Sequence, residues 1–111
     1  GIPQVYYVGM LAGKNDLSFD AADHRFINRR NYSLSELAQE CERPVVQRLL
    51  RLMRLRNSHP AFAGELQIAA TADDQLCLKR MVGKAFVTLC ANLSNQHFQI
   101  LYTEDGETKV F

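Results

Sequence analysis

Hydrophobic and polar residues alternate differently in three successive stretches of this 111-residue chain. Near the start, Val5-Tyr6-Tyr7-Val8 is a run of β-favouring residues without polar alternation. Such a run is typical of a strand that is buried on both faces, as in a parallel sheet. We therefore predict a strand over residues 2–8, with Pro3 close to its start, where the missing N–H costs least.

Residues 9–32 lack a clear periodicity, which predicts a long connection after this strand. Connections of such length in a compact domain are usually functional or disordered. A surface excursion that orders only against a missing partner is the alternative. We favour a functional loop because four apolar side chains can anchor it: Leu17, Phe19, Phe26 and Ile27.

Two helices are predicted after the loop. Ser33 and Glu36 have the spacing of a capping box, in which each side chain satisfies a backbone donor of the other residue. This motif predicts a short helix over residues 34–41. Pro44 suits the first turn of a second helix, whose apolar residues recur at spacings of three and four to about residue 56.

Beyond residues 60–64 the pattern changes to short alternating segments separated by turn residues such as Gly83-Lys84. This pattern is typical of antiparallel hairpins. It predicts a β domain of four or five strands over residues 61–111, after a first part over residues 1–60. The expected strands are 66–70, 76–82, 85–93, 98–102 and 108–111.

Composition narrows the class of protein. The chain is 47% hydrophobic and 23% charged, as in an ordinary folded domain. Its net charge of +1 gives no reason to expect a nucleic-acid partner. No apolar run approaches the roughly 20 residues that cross a bilayer, so no membrane association is expected. Three cysteines cannot all pair within one chain, which favours a reducing, cytoplasmic location.

Most candidate motifs favour a structural interpretation. Gly9 and Gly13 with Lys14 resemble a phosphate loop, but three residues separate the glycines instead of four, and Asn15 follows where Ser or Thr is needed. The arginines of the second helix are better explained as a solvated face than as a nucleic-acid surface. The cysteines and histidines lack metal-ligand spacing, so neither a metal nor a cofactor is expected.

Two cysteines occupy alternating positions within the predicted strands. We interpret Cys77 and Cys90 as small core residues.

The long loop is a weak candidate for a binding site. Asp16, Asp20 and Asp23 could cluster there, but aspartate is common in loops for turn-forming reasons alone, so no acid–base catalysis is assigned to them. Arginines follow shortly after, and their guanidinium forks suit anionic or hydroxyl-rich ligands. These arginines are Arg25, Arg29 and Arg30.

Residues 1–16 closely resemble the sucrose phosphorylase branch of glycoside hydrolase family 13, in the α-amylase superfamily. The matching segment is GIPQVYYVG, continued by LAGKND. A second match is Ile27-Asn28-Arg29 followed by Tyr32, and a weaker third is Arg43-Pro44-Val45-Val46. After residue 16 the resemblance is patchy to about residue 60, and beyond residue 60 it is only architectural.

The resemblance implies the last strand, loop and helices of a (β/α)₈ barrel, followed by a small antiparallel C-terminal domain. The family reaction is retaining α-glucosyl transfer, with phosphate in place of water as the acceptor. The catalytic carboxylates belong to earlier barrel strands, so no catalytic residue is expected in this chain. What carries over is substrate binding: Arg29 on the glucosyl side, and Asn15 and Asp16 on the acceptor side.

The second motif departs from the family pattern, because Phe26 stands in place of an acid and Arg30 in place of a histidine. The acceptor could be fructose, a phosphorylated fructose or glycerate. We expect the C-terminal part of a glucoside phosphorylase that uses a glucoside and phosphate and is inactive by itself. The alternatives are a non-catalytic β-rich interaction or carbohydrate-binding module, or the product of a degraded gene.

The ends of the chain suggest a piece of a larger protein, since it opens at Gly1 without methionine and closes directly after a predicted strand. A barrel strand separated from its neighbours would have bare edges, and bare edges pair with other chains. We therefore expect a homodimer formed through the N-terminal strand.

Overall fold

The computed structural model describes residues 4–15 and 29–111. The chain divides into two compact units, Gly1–Leu55 and Arg56–Phe111. The helices are α1 (Tyr7–Met10), α2 (Leu34–Cys41) and α3 (Pro44–Ser58), and a 3₁₀ turn follows at Pro60–Ala63. The strands are β1 (Leu66–Ile68), β2 (Gln75–Val82), β3 (Ala85–Asn92), β4 (His97–Glu104) and β5 (Glu107–Val110).

The strand predicted over residues 2–8 is wrong in its described part, because a helical turn begins at Tyr7. The described residues contain one sheet, built from β1 to β5, so this segment has no strand to pair with. Its backbone bonds are local instead: the Met10 N–H donates to the Tyr6 carbonyl at 2.8 Å, and the Leu11 N–H to the Tyr7 carbonyl at 3.0 Å. The turn buries Val8 and Leu11, which are 4% and 2% exposed.

This local structure also removes the basis of the predicted dimer. That prediction required an unpaired strand edge, whereas residues 7–10 satisfy helical hydrogen bonds within their own turn. Residues 1–3 lie outside the described residues. The oligomeric state itself stays a prediction.

The two predicted helices are confirmed. The Glu36 N–H donates to Ser33 Oγ at 3.2 Å, and the Ser33 N–H donates to the Glu36 carboxylate at 2.8 Å, so the capping box is complete. α2 ends at the expected Cys41, and α3 begins at the expected Pro44. Arg43, between the two helices, donates to the Leu11 carbonyl at 3.2 Å and thereby joins the first described segment to them.

The antiparallel β domain is also confirmed, with five strands in the order β1-β2-β3-β4-β5. Each strand is antiparallel to the next, as a series of hairpins requires. Side chains alternate across a strand, so one face carries the apolar set that includes Leu78, Leu89 and Ile100, which are aligned by the register. Val87 and Ile100 are the buried strand residues of this face.

The 3₁₀ turn is held to the sheet by side chains that reach backbone carbonyls. The Arg80 guanidinium donates to the Gly64 carbonyl at 2.7 Å and to the Phe62 carbonyl at 3.3 Å. His59 Nε2 donates to the Thr103 carbonyl at 2.7 Å, while Nδ1 accepts from the Ala61 N–H at 3.3 Å. In this arrangement Nε2 is the donor nitrogen of the ring and Nδ1 the acceptor.

The interpretation of Cys77 and Cys90 as core residues is wrong. Cys77 is half-buried and Cys90 is exposed, and the two are joined by a disulfide across β2 and β3. Period-two alternation explains the difference, because Leu76 and Leu78 take the apolar face and Cys77 between them takes the other.

Within the described residues, no helix is both long enough and apolar enough to cross a membrane.

Gly64 lies so close to β2 that the fold requires its lack of a side chain. A Cβ at this position would lie 2.0 Å from the Met81 carbonyl oxygen, which is backbone and cannot rotate away. We expect Gly64→Ala to destabilise the sheet unit by about 1–3 kcal/mol, the usual cost of overpacking. Urea unfolding measures this, with Gly9→Ala as control because a Cβ there meets nothing within 4 Å. Equal stability of the two variants would contradict the close approach.

Candidate functional site

Three tyrosines of the first unit form an aromatic cluster beside two arginines. The ring centroids of Tyr6 and Tyr7 lie 4.6 Å apart, and Tyr32 meets Tyr7 edge-on at 6.4 Å. The Tyr7 hydroxyl donates to the Arg30 carbonyl at 2.9 Å, which bridges the segment around α1 and the segment before α2. We call these residues, with Arg29, the Tyr–Arg cluster.

The two arginines of the cluster differ in their electrostatic surroundings. The guanidinium of Arg30 lies 4.9 Å from the centre of the Tyr32 ring and forms an ion pair with Glu36 at 3.3 Å. Its charge is therefore compensated by the first turn of α2. Arg29 is exposed, and no described carboxylate forms an ion pair with it. Arg29 is thus the cation of the cluster that is better placed to meet an anionic or hydroxyl-rich ligand.

The pKa of Tyr7 is raised above its ordinary value, chiefly because the hydroxyl has lost part of its hydration. Hydrogen bonding with Tyr6 and the nearby Tyr32 add to this increase, while the positive charge of Arg29 opposes it. Tyr7 therefore remains a neutral hydrogen-bond donor across the physiological pH range.

The Tyr32 hydroxyl is buried and has no hydrogen-bond partner among the described residues. Gly13 leaves room for this hydroxyl, because a Cβ at position 13 would lie 2.4 Å from the hydroxyl oxygen. A buried hydroxyl without a partner costs free energy. It is a group that a polar ligand entering the cluster could satisfy.

The predicted site residues have different surroundings from one another in the structure. Arg29 belongs to the Tyr–Arg cluster through its effect on Tyr7. Asn15 is exposed at the end of the first described segment, and no hydrogen bond joins it to Arg29. Asp16 lies outside the described residues, as do Asp20 and Asp23. The role of Arg29 stays a prediction. The pairing of Arg30 with Glu36 does not follow from the capping box that places Glu36 at the start of α2.

In residues 4–15 and 29–111, no three His, Cys, Asp or Glu side chains are grouped to hold a metal ion. The described part of the arrangement consists instead of aromatic rings, hydroxyl groups and the guanidinium of Arg29, which has no ion pair with a described carboxylate. Such groups are of the kind that proteins use to bind polar ligands. It contains no pair of carboxylates of the kind that cleaves glycosidic bonds.

Comparison with known proteins identifies the relatives of this chain. No family model matches the chain. It is 50% identical to sucrose 6(F)-phosphate phosphorylase of Thermoanaerobacterium thermosaccharolyticum, over 96% of this chain and 22% of that protein. It is 41% identical to glucosylglycerol phosphorylase of Marinobacter adhaerens, over 98% of this chain and 24% of that protein. With sucrose phosphorylase of Streptococcus mutans it shares 38% identity, over 100% of this chain and 24% of that protein.

A solved structure agrees with these matches. The crystal structure of sucrose 6F-phosphate phosphorylase from Thermoanaerobacter thermosaccharolyticum matches the whole chain with a TM-score of 0.91 and 40% identity, over 23% of that protein. The relatives are glucoside phosphorylases. The chain belongs to the sucrose phosphorylase branch of this class, and it spans about a quarter of the length of the relatives that it matches.

Glu36 makes the stability of the first unit dependent on pH. Hydrogen bonds from the backbone and side chain of Ser33, and the charge of Arg30, lower the pKa of the Glu36 carboxyl below its ordinary 4.5. A lowered pKa contributes stability above the unfolded value, and this contribution is lost as pH falls through the folded value. We therefore expect the melting temperature to fall more steeply on acidification below pH 4.5 in the unsubstituted chain than in Glu36→Gln. Parallel pH profiles would contradict this role.

Proposed function

We propose that the chain is the C-terminal part of a retaining α-glucoside phosphorylase, which transfers a glucosyl unit between sucrose or a related glucoside and phosphate. The observation that carries the proposal is the match over almost the entire chain to sucrose 6(F)-phosphate phosphorylase, at 50% identity. Agreement of backbone structure with the same kind of enzyme supports it. The substrates proposed for the whole protein are a glucoside and phosphate, in the cytoplasm.

The part assigned to this chain is binding rather than bond cleavage. A retaining mechanism needs a carboxylate nucleophile and an acid that protonates the leaving group, about 5–5.5 Å apart. The resemblance locates both on barrel strands that precede this segment. In this proposal the Tyr–Arg cluster contributes to the glucosyl site. Arg29 donates to a sugar hydroxyl, because the neighbouring Arg30 is already paired with Glu36.

The acceptor remains one of a small set. The relatives are named for sucrose, for phosphorylated sucrose and for glucosylglycerol, and the chain is similar to all three. The acceptor side is assigned to Asn15 and Asp16 by resemblance. Arg30 does not add a positive charge for a phosphorylated acceptor, because its ion pair with Glu36 compensates it.

A second function, a β-rich interaction module, is favoured by one observation in the sheet unit. Ile68 and Phe98 lie on the apolar face, yet they are 68% and 61% exposed. Apolar side chains exposed on one face are typical of surfaces that contact another protein segment. In a phosphorylase this segment would belong to the remainder of the same enzyme, so the two proposals make different predictions for the isolated chain.

We expect the isolated 111-residue chain to form no glucose 1-phosphate from sucrose and phosphate, because the residues that would form and break the glucosyl–enzyme bond are outside it. The measurement is a coupled assay for glucose 1-phosphate on highly purified chain. The matched control is the complete reading frame that encodes this segment, which should be active. Activity of the isolated chain that is lost in Arg29→Ala would refute the division of roles; activity retained in that variant would indicate a contaminating enzyme.

In the complete enzyme, Arg29→Ala should lower kcat/KM by about ten- to a hundredfold with every acceptor. A hydrogen bond from a charged group contributes roughly 1.5–3 kcal/mol, and the glucosyl site is common to all acceptors. The control is Arg48→Ala, which removes an exposed arginine of α3 outside the Tyr–Arg cluster and should leave the rate unchanged. A loss confined to one acceptor would move Arg29 from the glucosyl side to the acceptor side.

A further inference from the structure

The polar face of the sheet carries a pair of cysteines at its centre. Cys77 on β2 is directly opposite Cys90 on β3, and their Cα atoms are 4.2 Å apart. In antiparallel sheets, such short separations belong to the pairs that do not exchange backbone hydrogen bonds, in which side chains lie closest. The register alone therefore brings the two sulfur atoms together.

Solvent reaches the two cysteines unequally. Cys90 is exposed, whereas Cys77 is half-buried. Their neighbours on this face are polar: the register places Lys79 opposite Thr88, one pair further along, and Gln99 on β4 opposite Cys90. A polar face keeps the cysteines open to small soluble molecules, and Cys90 is the more accessible of the two.

The strand pairing does not depend on the disulfide. β2 and β3 pair along eight consecutive positions, from Gln75 opposite Asn92 to Val82 opposite Ala85. The open end of the hairpin is further held by Asn92 Nδ2, which donates to the Asp74 carboxylate at 3.1 Å. We therefore expect the backbone to keep the sulfurs opposite each other in the reduced form as well.

From these observations we infer that Cys77 and Cys90 form a reversible thiol–disulfide pair, which exchanges with low-molecular-weight thiols and disulfides through Cys90. The Cys90 thiolate attacks a small disulfide RSSR, forms a mixed disulfide and releases RS⁻, which takes up a proton. The Cys77 thiolate then attacks the Cys90 sulfur and releases the second RS⁻. In sum, the dithiol and RSSR give the protein disulfide and two RSH. The inference rests on the sheet unit alone and is independent of the proposed function.

A glutathione titration of the full chain tests the reversibility. The variant Cys41→Ser removes the remaining free cysteine. After equilibration at graded ratios of reduced to oxidised glutathione and quenching by alkylation, mass spectrometry counts the free thiols. We expect two free thiols in excess reduced glutathione and none in excess oxidised glutathione. A disulfide that persists in reduced glutathione, or thiols that persist in oxidised glutathione, would overturn the inference. Peptide mapping of the unsubstituted chain gives the same readout independently of the variant.

The order of attack has its own test. In the Cys41→Ser background, the exposed Cys90 of Cys77→Ser should form a mixed disulfide with oxidised glutathione several-fold faster than Cys77 of Cys90→Ser. Equal or reversed rates would refute the assignment of Cys90 as the exchanging thiol.

The disulfide closes a loop of 13 residues. In Cys41→Ser, oxidation should therefore raise the melting temperature by about 10 °C. The two single-thiol variants are the controls, because they cannot form the disulfide. An unchanged melting temperature on oxidation of Cys41→Ser would contradict the stabilising role of the disulfide.

Discussion

The register between β2 and β3 is the constraint on which the sheet unit depends. Because side chains alternate along a strand, a single register decides which residues of both strands share a face. It places Leu78 opposite Leu89 on the apolar face and Cys77 opposite Cys90 on the polar face. A slip of one strand by one residue would move its leucine to the polar face and its cysteine to the apolar face. The attachment of the 3₁₀ turn depends on the register of β1 with β2 instead, which places Arg80 opposite Leu66, and the Arg80 guanidinium donates to the Phe62 and Gly64 carbonyls.

The first unit is organised by a different kind of interaction. Its described segments are short, and side chains that bond to backbone carbonyls join them: Arg43 to Leu11, and Tyr7 to Arg30. The ion pair of Arg30 with Glu36 completes the set. This arrangement separates two adjacent arginines by role. Arg30 supports the structure, and Arg29 keeps its guanidinium exposed beside the tyrosines.

This separation supports the proposal that the chain contributes to substrate binding in a glucoside phosphorylase. Orientation of the substrate contributes to the rate as well as to affinity, because the reacting atoms must be held close and aligned. Within the proposed enzyme, the Tyr–Arg cluster would supply orientation, while the chemistry is supplied elsewhere. The cysteine pair belongs to the other unit.

Local rules were sufficient for α2, α3 and the five strands. The capping box of Ser33 and Glu36, the proline at position 44 and the alternation after residue 65 each act over a few neighbouring residues. The position of Cys77 opposite Cys90 also follows from the sequence. A two-residue turn at Gly83-Lys84 pairs Val82 with Ala85, and each earlier residue of β2 then pairs with the correspondingly later residue of β3. The interpretation of the cysteines as core residues considered alternation within each strand and not the pairing across the hairpin.

By itself, the sequence determined α2, α3, the hairpins and, through its resemblance, the enzyme family, while the role of Arg29 stays a prediction. Tertiary structure decided the rest. Residues 5–8 have high strand propensity, yet a helical turn begins at Tyr7, because a strand needs partners remote in sequence and none of the described residues supplies one. The pairing of Arg30 with Glu36 and the buried Tyr32 hydroxyl likewise depend on which segments meet in space. Propensity acts between neighbours, whereas pairing and burial are properties of the folded chain.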